Sequence, residues 1–215
     1  MKDCYKMPTS KEIFINIVQK LSTILVLLYG ITPAFSSLQE GEVFMNNGKF
    51  DEAISILTPL AAQENPKALY LLAGIYLSKS SQHLNYPKGR EFLERAVALN
   101  YPPAMDELAG LYLAGEGVEK NEAKALQYYI QASYKGYGPS QFNCGIMYKE
   151  GQGTEKDFTK AYFYLCLASL NFRDLDGLTE DAAQYRDELV PFLSPDQRQI
   201  ALSQVNALTL PENSF

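Results

Sequence analysis

The side chains able to do covalent or metal chemistry are few and poorly spaced for it. His83 is the sole histidine in the 215 residues, so a Ser-His-Asp relay would have to use it. It stands in the polar stretch "SKSSQHLNYPKG" (Ser78 to Gly89), where a solvated loop residue is expected. Zinc sites draw on sets of His, Cys and carboxylate ligands, and one His with the unaligned Cys144 and Cys166 falls short of such a set. The carboxylate pairs Glu180/Asp181 and Asp187/Glu188 are consecutive in sequence, so on a helix they point apart and read as a solvated face. Gly115-x-Gly117 follows no strand and does not fit a phosphate-binding loop. No catalytic residue, metal ligand or cofactor is therefore expected, and recognition through a surface becomes the leading chemistry.

The N-terminus carries an address. Lys2, Lys6, Lys11 and Lys20 precede the apolar run "LSTILVLLYGI", followed by small residues at Ala34 and Ser36. That order reads as a signal peptide over residues 1–36, cleaved before Ser37, and predicts a periplasmic or secreted protein. The rival is an uncleaved anchor, which would place Lys20 within the span at a cost; membrane contact is expected only through this segment. The leader holds four Lys against Asp3 and Glu12, so its loss moves the formal net charge from −6 to −8. A chain this acidic, without a Lys/Arg run, is repelled by phosphate backbones, which excludes nucleic acid as the expected partner. A monomer is expected.

What must position any surface is a repeat. Shifting the chain by 36 residues superposes Ala73, Ala109 and Gly145, then Tyr76, Tyr112 and Tyr148, then Ala96, Ala132 and Ala168. Gly115 and Gly117 fall on Gly151 and Gly153, and Ala125 on Ala161. Each unit reads as two helices, because Ala104, Leu108, Leu111 and Tyr112 recur at helical spacing, as do Ala125, Tyr128, Tyr129 and Ala132. Pro66, Pro102, Pro103 and Pro139 suit the start of the first helix. Asn85, Asn121 and Asp157 can cap the second. The Gly-x-Gly pairs supply the positive φ that ends one helix and returns the chain. Small residues at 73, 109 and 145 let paired helices approach closely. Most of the 13 tyrosines left after the leader repeat at core spacing and are expected to be structural.

The spacing thus predicts an all-α solenoid of stacked antiparallel hairpins, preceded by the signal-peptide helix. The repeat domain spans 37–210, with hairpins at about 37–65, 66–101, 102–137 and 138–172 and closing helices at 179–193 and 194–208. Ser37-x-x-Glu40 has the form of a capping box and places the first mature helix at the cleavage site. Ser194, Pro195 and Gln197 give the last helix a similar start, and "TLPENSF" is expected to fray.

The stretch Ala104 to Gly136, "A-x-x-x-L-A-x-x-Y-x-x-G-x-G-V-x-x-N-x-x-K-A-L-x-Y-Y-x-x-A-S-x-x-G", resembles the Sel1-like repeat (SLR) of bacterial exported proteins. Gly41 to Ala53 is similar to the parent tetratricopeptide repeat. The resemblance covers about residues 37–200, and in unit 68–101 the Ser78 to Gly89 stretch replaces the Gly-x-Gly turn. It implies a non-enzymatic interaction scaffold that binds a protein or peptide on its concave face, in envelope assembly, signalling or host interaction. A cysteine-rich secreted branch implies an alternative, the binding or hydrolysis of β-lactam or cell-wall compounds, but it carries a Cys pair per repeat. A third alternative is an envelope spacer with no saturable partner.

If the first helix of each hairpin lines the concave face, the positions outside the core pattern are Tyr70, Asp106 and Phe142, then Gly74, Gly110 and Ile146, then Leu77, Leu113 and Lys149. Of these, Tyr70, Asp106, Phe142, Leu77, Leu113, Lys149 and Ile146 form the expected partner-binding set; packing on neighbouring or closing helices is the competing role. Cys144 aligns with Leu72 and Leu108 and is expected in the core, whereas Cys166 aligns with Glu94 and Ile130 in a less buried register. Free thiols are favoured by this difference in facing, and a disulfide within the hairpin stays open.

Overall fold

The computed structural model describes residues 33–171 and 178–209. Among the described residues there is no strand; the chain runs through α1 (Pro33–Asn46), α2 (Phe50–Ala62), α3 (Pro66–Leu77), α4 (Tyr86–Ala98), α5 (Pro102–Ala114), α6 (Glu122–Ser133), α7 (Gly138–Glu150), α8 (Phe158–Asn171), α9 (Leu178–Asp187), a 3-10 turn (Val190–Phe192) and α10 (Pro195–Thr209). The fold is an all-α solenoid. Helices pair as hairpins α1/α2, α3/α4, α5/α6 and α7/α8, and each second helix packs on the first helix of the next hairpin.

Local chemistry sets these boundaries. The side chains of Asn65, Asn85, Asn121 and Asp157 accept hydrogen bonds from the backbone N–H groups of Ala68, Lys88, Lys124 and Lys160, at 3.0, 3.1, 2.9 and 2.9 Å. Each satisfies a donor that the first helical turn leaves free. Pro66 and Pro102 open α3 and α5, where the missing N–H costs nothing. At the other end, α5 and α7 stop at Gly115 and Gly151, with φ of 73° and 76°.

Gly117 and Gly153 do more than turn the chain. Both have positive φ, 68° and 67°, and neither has room for a Cβ. A methyl on Gly117 would collide with the ring base of Tyr86, and one on Gly153 with the backbone carbonyl of Glu122. Each loop tip therefore rests on the start of the second helix one repeat earlier, which locks successive hairpins in register.

The core falls into two main clusters along the stack, bridged by the half-buried Tyr112 and Tyr128. Leu57, Leu69, Leu72, Ile75, Leu93 and Leu108 are fully buried towards the N-terminal end, and Cys144, Met147, Leu165 and Val205 towards the other. Ala73 and Ala109 are wholly buried. At the equivalent Gly145 an added Cβ would lie 2.6 Å from Leu165 Cγ and 3.3 Å from the Ala161 carbonyl oxygen. Close backbone approach thus explains the small residues at this register.

One aromatic rung recurs along that core. Tyr76 stacks on Phe92, Tyr112 on Tyr128 and Tyr148 on Tyr164, with ring centroids 5.7, 5.9 and 5.6 Å apart. Lys88, Lys124 and Lys160 lie over the first ring of each pair, at 4.2, 4.2 and 5.1 Å from its centroid. Cation–π attraction and, for Lys88 and Lys124, donation to the tyrosine hydroxyl at 2.8 and 2.7 Å fasten the two helices of a hairpin together. These repeated aromatics have structural work.

Three sequence expectations change. Ser37 lies inside α1, four residues past its start at Pro33, so it does not cap that helix. The closing helix expected over 179–193 ends at Asp187, because Pro191 lacks an N–H to continue the ladder and the chain forms the 3-10 turn instead. His83 is not simply solvated. Its Nε2 lies 2.8 Å from Asp51 Oδ1 on α2, its backbone N–H donates to Ser81 Oγ, and its ring meets Tyr76 edge-on. This knot replaces the glycine turn in the 78–85 loop.

Ser194 and Gln197 do form a reciprocal box, with Ser194 N–H to Gln197 Oε1 at 2.8 Å and Gln197 N–H to Ser194 Oγ at 3.2 Å. The signal-peptide helix lies outside the described residues except for its last four positions, and the tail from Leu210 lies outside them too. No helix among the described residues is long and apolar enough to cross a membrane.

Candidate functional site

The seven side chains expected on an open face divide into three groups. Leu77 is a correction: it is buried, packed where an added Cβ on Gly89 would meet its Cγ at 2.6 Å, and belongs to the α3/α4 seam. Phe142 and Lys149 are engaged by the closing helix. The Tyr185 ring on α9 stands edge-on to Phe142 at 5.5 Å, Lys149 Nζ lies 4.7 Å from the centre of that ring, and Lys149 pairs with Glu188 at 2.8 Å. Ile146 and Leu113 are half-buried.

Tyr70 and Asp106 remain, and the structure gathers others around them. Tyr70 on α3 meets Tyr101, the residue before α5, with centroids 5.6 Å apart and planes tilted by 58°. Asp106 Oδ1 accepts from Ser140 Oγ at 2.6 Å and from Asn143 Nδ2 at 3.4 Å, which ties α5 to α7. Tyr137 precedes α7 as Tyr101 precedes α5, and both are half-buried at the helix N-cap without making a side-chain cap bond. Glu107 follows Asp106 and is exposed. Gly74 and Gly110, between the larger residues of α3 and α5, keep the floor of this face low.

Electrostatics mark the cluster as acidic and short of cations. Burial, then the charges of Glu107, Tyr101, Asp106 and Glu42, push the Tyr70 hydroxyl up to about 12. Tyr137 is raised further by burial and by the same two carboxylates and tyrosines. Desolvation lifts the Asp106 carboxyl above its ordinary value, opposed by the bonds from Ser140 and Asn143. Glu107 is lifted by desolvation and then by the like charges of Asp106 and Glu116; its side chain still opens to solvent, so that desolvation is partial. Burial lifts the Tyr101 hydroxyl, opposed by Lys67, which is itself held by Glu42 at 2.6 Å.

Sequence reasoning missed Tyr101, Tyr137 and Glu107. The first two recur at the 36-residue period just before the helix-opening prolines, a signal visible in the chain. Glu107 has no such signal.

Elsewhere the chemistry is quiet. Cys144 and Cys166 are unbonded and both are buried, Cys166 slightly less so than Cys144. Burial raises both thiols, Cys166 to about 11. No group of His, Cys, Asp and Glu among the described residues could hold a metal ion. Clefts of about 640 and 490 Å³ flank Tyr134, between the last two second helices and α10.

The chain matches the Sel1 repeat family model over residues 66–101, 102–137 and 138–171. It matches no curated protein. Its fold resembles a crystal structure of a protective antigen present in uropathogenic Escherichia coli strains that displays an SLR fold, with a TM-score of 0.65 and 26% identity. That alignment covers 74% of this chain but 32% of the antigen, so the chain spans about a third of its length. A Sel1 repeat protein from Oxalobacter formigenes shares the fold at a TM-score of 0.54 and 24% identity, over 63% of this chain and 97% of that one. Sel1 repeat proteins are generally protein-interaction scaffolds, and three consecutive Sel1 repeats, the second and third seated on their predecessors by glycine loops, place this chain among the Sel1-like repeat proteins.

Proposed function

We propose that the chain is an exported, non-enzymatic adaptor that holds a protein or peptide partner on the face lined by its first helices. The observation that carries this reading is the cluster of Tyr70, Tyr101, Tyr137, Asp106 and Glu107 above the low floor at Gly74 and Gly110. Tyrosine offers large contact area with little entropy to lose, and a partly desolvated rim strengthens polar contacts to a partner. The aromatics of the opposite edge are consumed by the Lys-Tyr rungs, and Phe142 is capped by Tyr185.

Export rests on the basic, apolar and small-residue order of residues 1–36. Likeness to a protective antigen of a pathogenic strain supports work in the envelope or at the host interface. The enzymatic alternative is tested by nitrocefin turnover; turnover abolished by a point substitution would replace the adaptor reading.

The direct experiment is affinity capture by the tagged mature chain from a native envelope extract, with Tyr70→Ala/Glu107→Ala as the paired control. Capture that survives in the wild type and fails in the variant, with equal helical signal and melting temperature, supports the first-helix face. Equal capture by both removes it.

A further inference from the structure

We infer that the first-helix face takes a basic peptide segment, with an Arg or Lys side chain seated among Tyr70, Tyr101 and Tyr137 against the carboxylates of Asp106 and Glu107. This rests on the adaptor reading and names the chemistry of the partner at the same face.

Charge complementarity carries the argument. Elsewhere on the stack ion pairs balance acid with base, Glu116 with Lys79, Glu122 with Lys120 and Glu188 with Lys149, and at the margin of this face Glu42 holds Lys67. Neither Asp106 nor Glu107 joins an ion pair among the described residues. The bonds that Asp106 receives come from Ser140 and Asn143, both neutral. Asp106, largely desolvated, and Glu107, open to solvent, thus have no ion-pair partner among the described residues.

The surrounding groups suit a cation and disfavour an anion. Tyrosine rings carry negative π faces that attract ammonium and guanidinium groups. Burial raises the hydroxyls of Tyr70 and Tyr137, so both stay neutral and the attraction comes from their ring faces and the two carboxylates. An acidic or phosphorylated segment would meet like charge from Asp106 and Glu107, and Lys67 beside Tyr101 is already paired with Glu42. The same geometry extends along the stack, because Tyr101 and Tyr137 are one repeat apart. An extended segment with alternating basic residues could therefore engage more than one of them.

The test is fluorescence anisotropy with a labelled Arg-Gly alternating peptide, and Glu-Gly and Ser-Gly peptides of equal length. The Arg-Gly peptide is expected to saturate, to weaken as salt rises, and to bind at least about tenfold more weakly to Asp106→Asn/Glu107→Gln. Asn at position 106 keeps the acceptor oxygen used by Ser140, and Glu107→Gln alone changes an exposed residue, so folding is preserved. Glu91→Gln/Glu155→Gln removes the same charge from exposed sites elsewhere and is expected to leave affinity within about twofold.

Absence of saturable Arg-Gly binding, equal loss in both double variants, or equal binding of the Ser-Gly peptide overturns the inference. Tyr70-dependent binding of Ser-Gly or Glu-Gly peptides would overturn the charge assignment while leaving first-helix recognition standing. Partner capture indifferent to Tyr70 and Glu107 would instead strike the adaptor reading beneath it.

Discussion

Replacing Gly153 by alanine isolates the contact that keeps repeats in register. Three glycines with nearly the same backbone provide the scale: Gly48, Gly151 and Gly153 have φ of 71°, 76° and 67°. An alanine at any of them bears the left-handed penalty of about 1–2 kcal/mol, lessened by the lower entropy of the unfolded chain. At Gly48 nothing lies within 4 Å of the new methyl, so about 1 kcal/mol is the whole effect. At Gly151 the methyl would meet Lys156 Cγ at 2.9 Å, the end of which can swing away, and the Lys156 backbone nitrogen at 3.3 Å. The expected cost there is about 1–2 kcal/mol.

At Gly153 the methyl would enter the Glu122 carbonyl group. Backbone of the neighbouring repeat cannot rotate aside, so overpacking adds about 1–3 kcal/mol to the conformational term, for roughly 2–5 kcal/mol in all. Urea denaturation followed by far-UV circular dichroism measures all three variants, with about 2–4 °C of melting temperature expected per kcal/mol. A Gly153→Ala variant no less stable than Gly48→Ala would refute the inter-repeat lock.

Three further outcomes follow from the same geometry. Ala109→Leu pushes a branched side chain into a fully buried seam and is expected to cost about 1–3 kcal/mol by the same denaturation assay. The Asp106 carboxyl is held above its ordinary 3.8 by burial, so the folded state binds its proton more tightly than the unfolded one. Its contribution to stability is greatest below 3.8 and is lost as pH rises through the folded value; Asp106→Asn should flatten that slope and stabilise the chain at neutral pH, while a slope identical to wild type contradicts the assignment. Cys144 and Cys166 are buried with thiols shifted upward, so iodoacetamide at pH 8 should label neither in the native chain and both after denaturation, as read by mass.

The solenoid was legible because its determinants repeat. Asn85, Asn121 and Asp157 cap successive helices, and Ala73, Ala109 and Gly145 serve the same close approach. Period and physical role coincide there. The left-handed residues at Glu64, Asn100 and Gly136, with φ of 56°, 60° and 78°, lie at the same period but were hidden because only the last is glycine.

The site was less legible because the contacts that decide which of its side chains stay open are not periodic. Phe142 reads as the counterpart of Tyr70, yet only it lies beneath Tyr185, which comes from a closing helix outside the repeat. Leu77 and Leu113 share a register, but Gly89 opens a socket that buries the former. His83 finds Asp51 across two hairpins, a pairing that no local spacing announces. Tyr70 and Asp106 were found from spacing; Tyr101 and Tyr137 carried the same period without marking a site, and Glu107 needed the fold.

The most direct test of recognition by the first-helix face is photocrosslinking in the native envelope extract, with a benzophenone residue replacing either Glu107 on α5 or Gln127 on α6. Both positions are exposed and carried by the same repeat, on its two different helices. The account predicts a discrete crosslinked partner from position 107, displaced by excess Arg-Gly peptide, and none from position 127. The same partner trapped at 127 but not at 107 would place recognition on the opposite helices and contradict it.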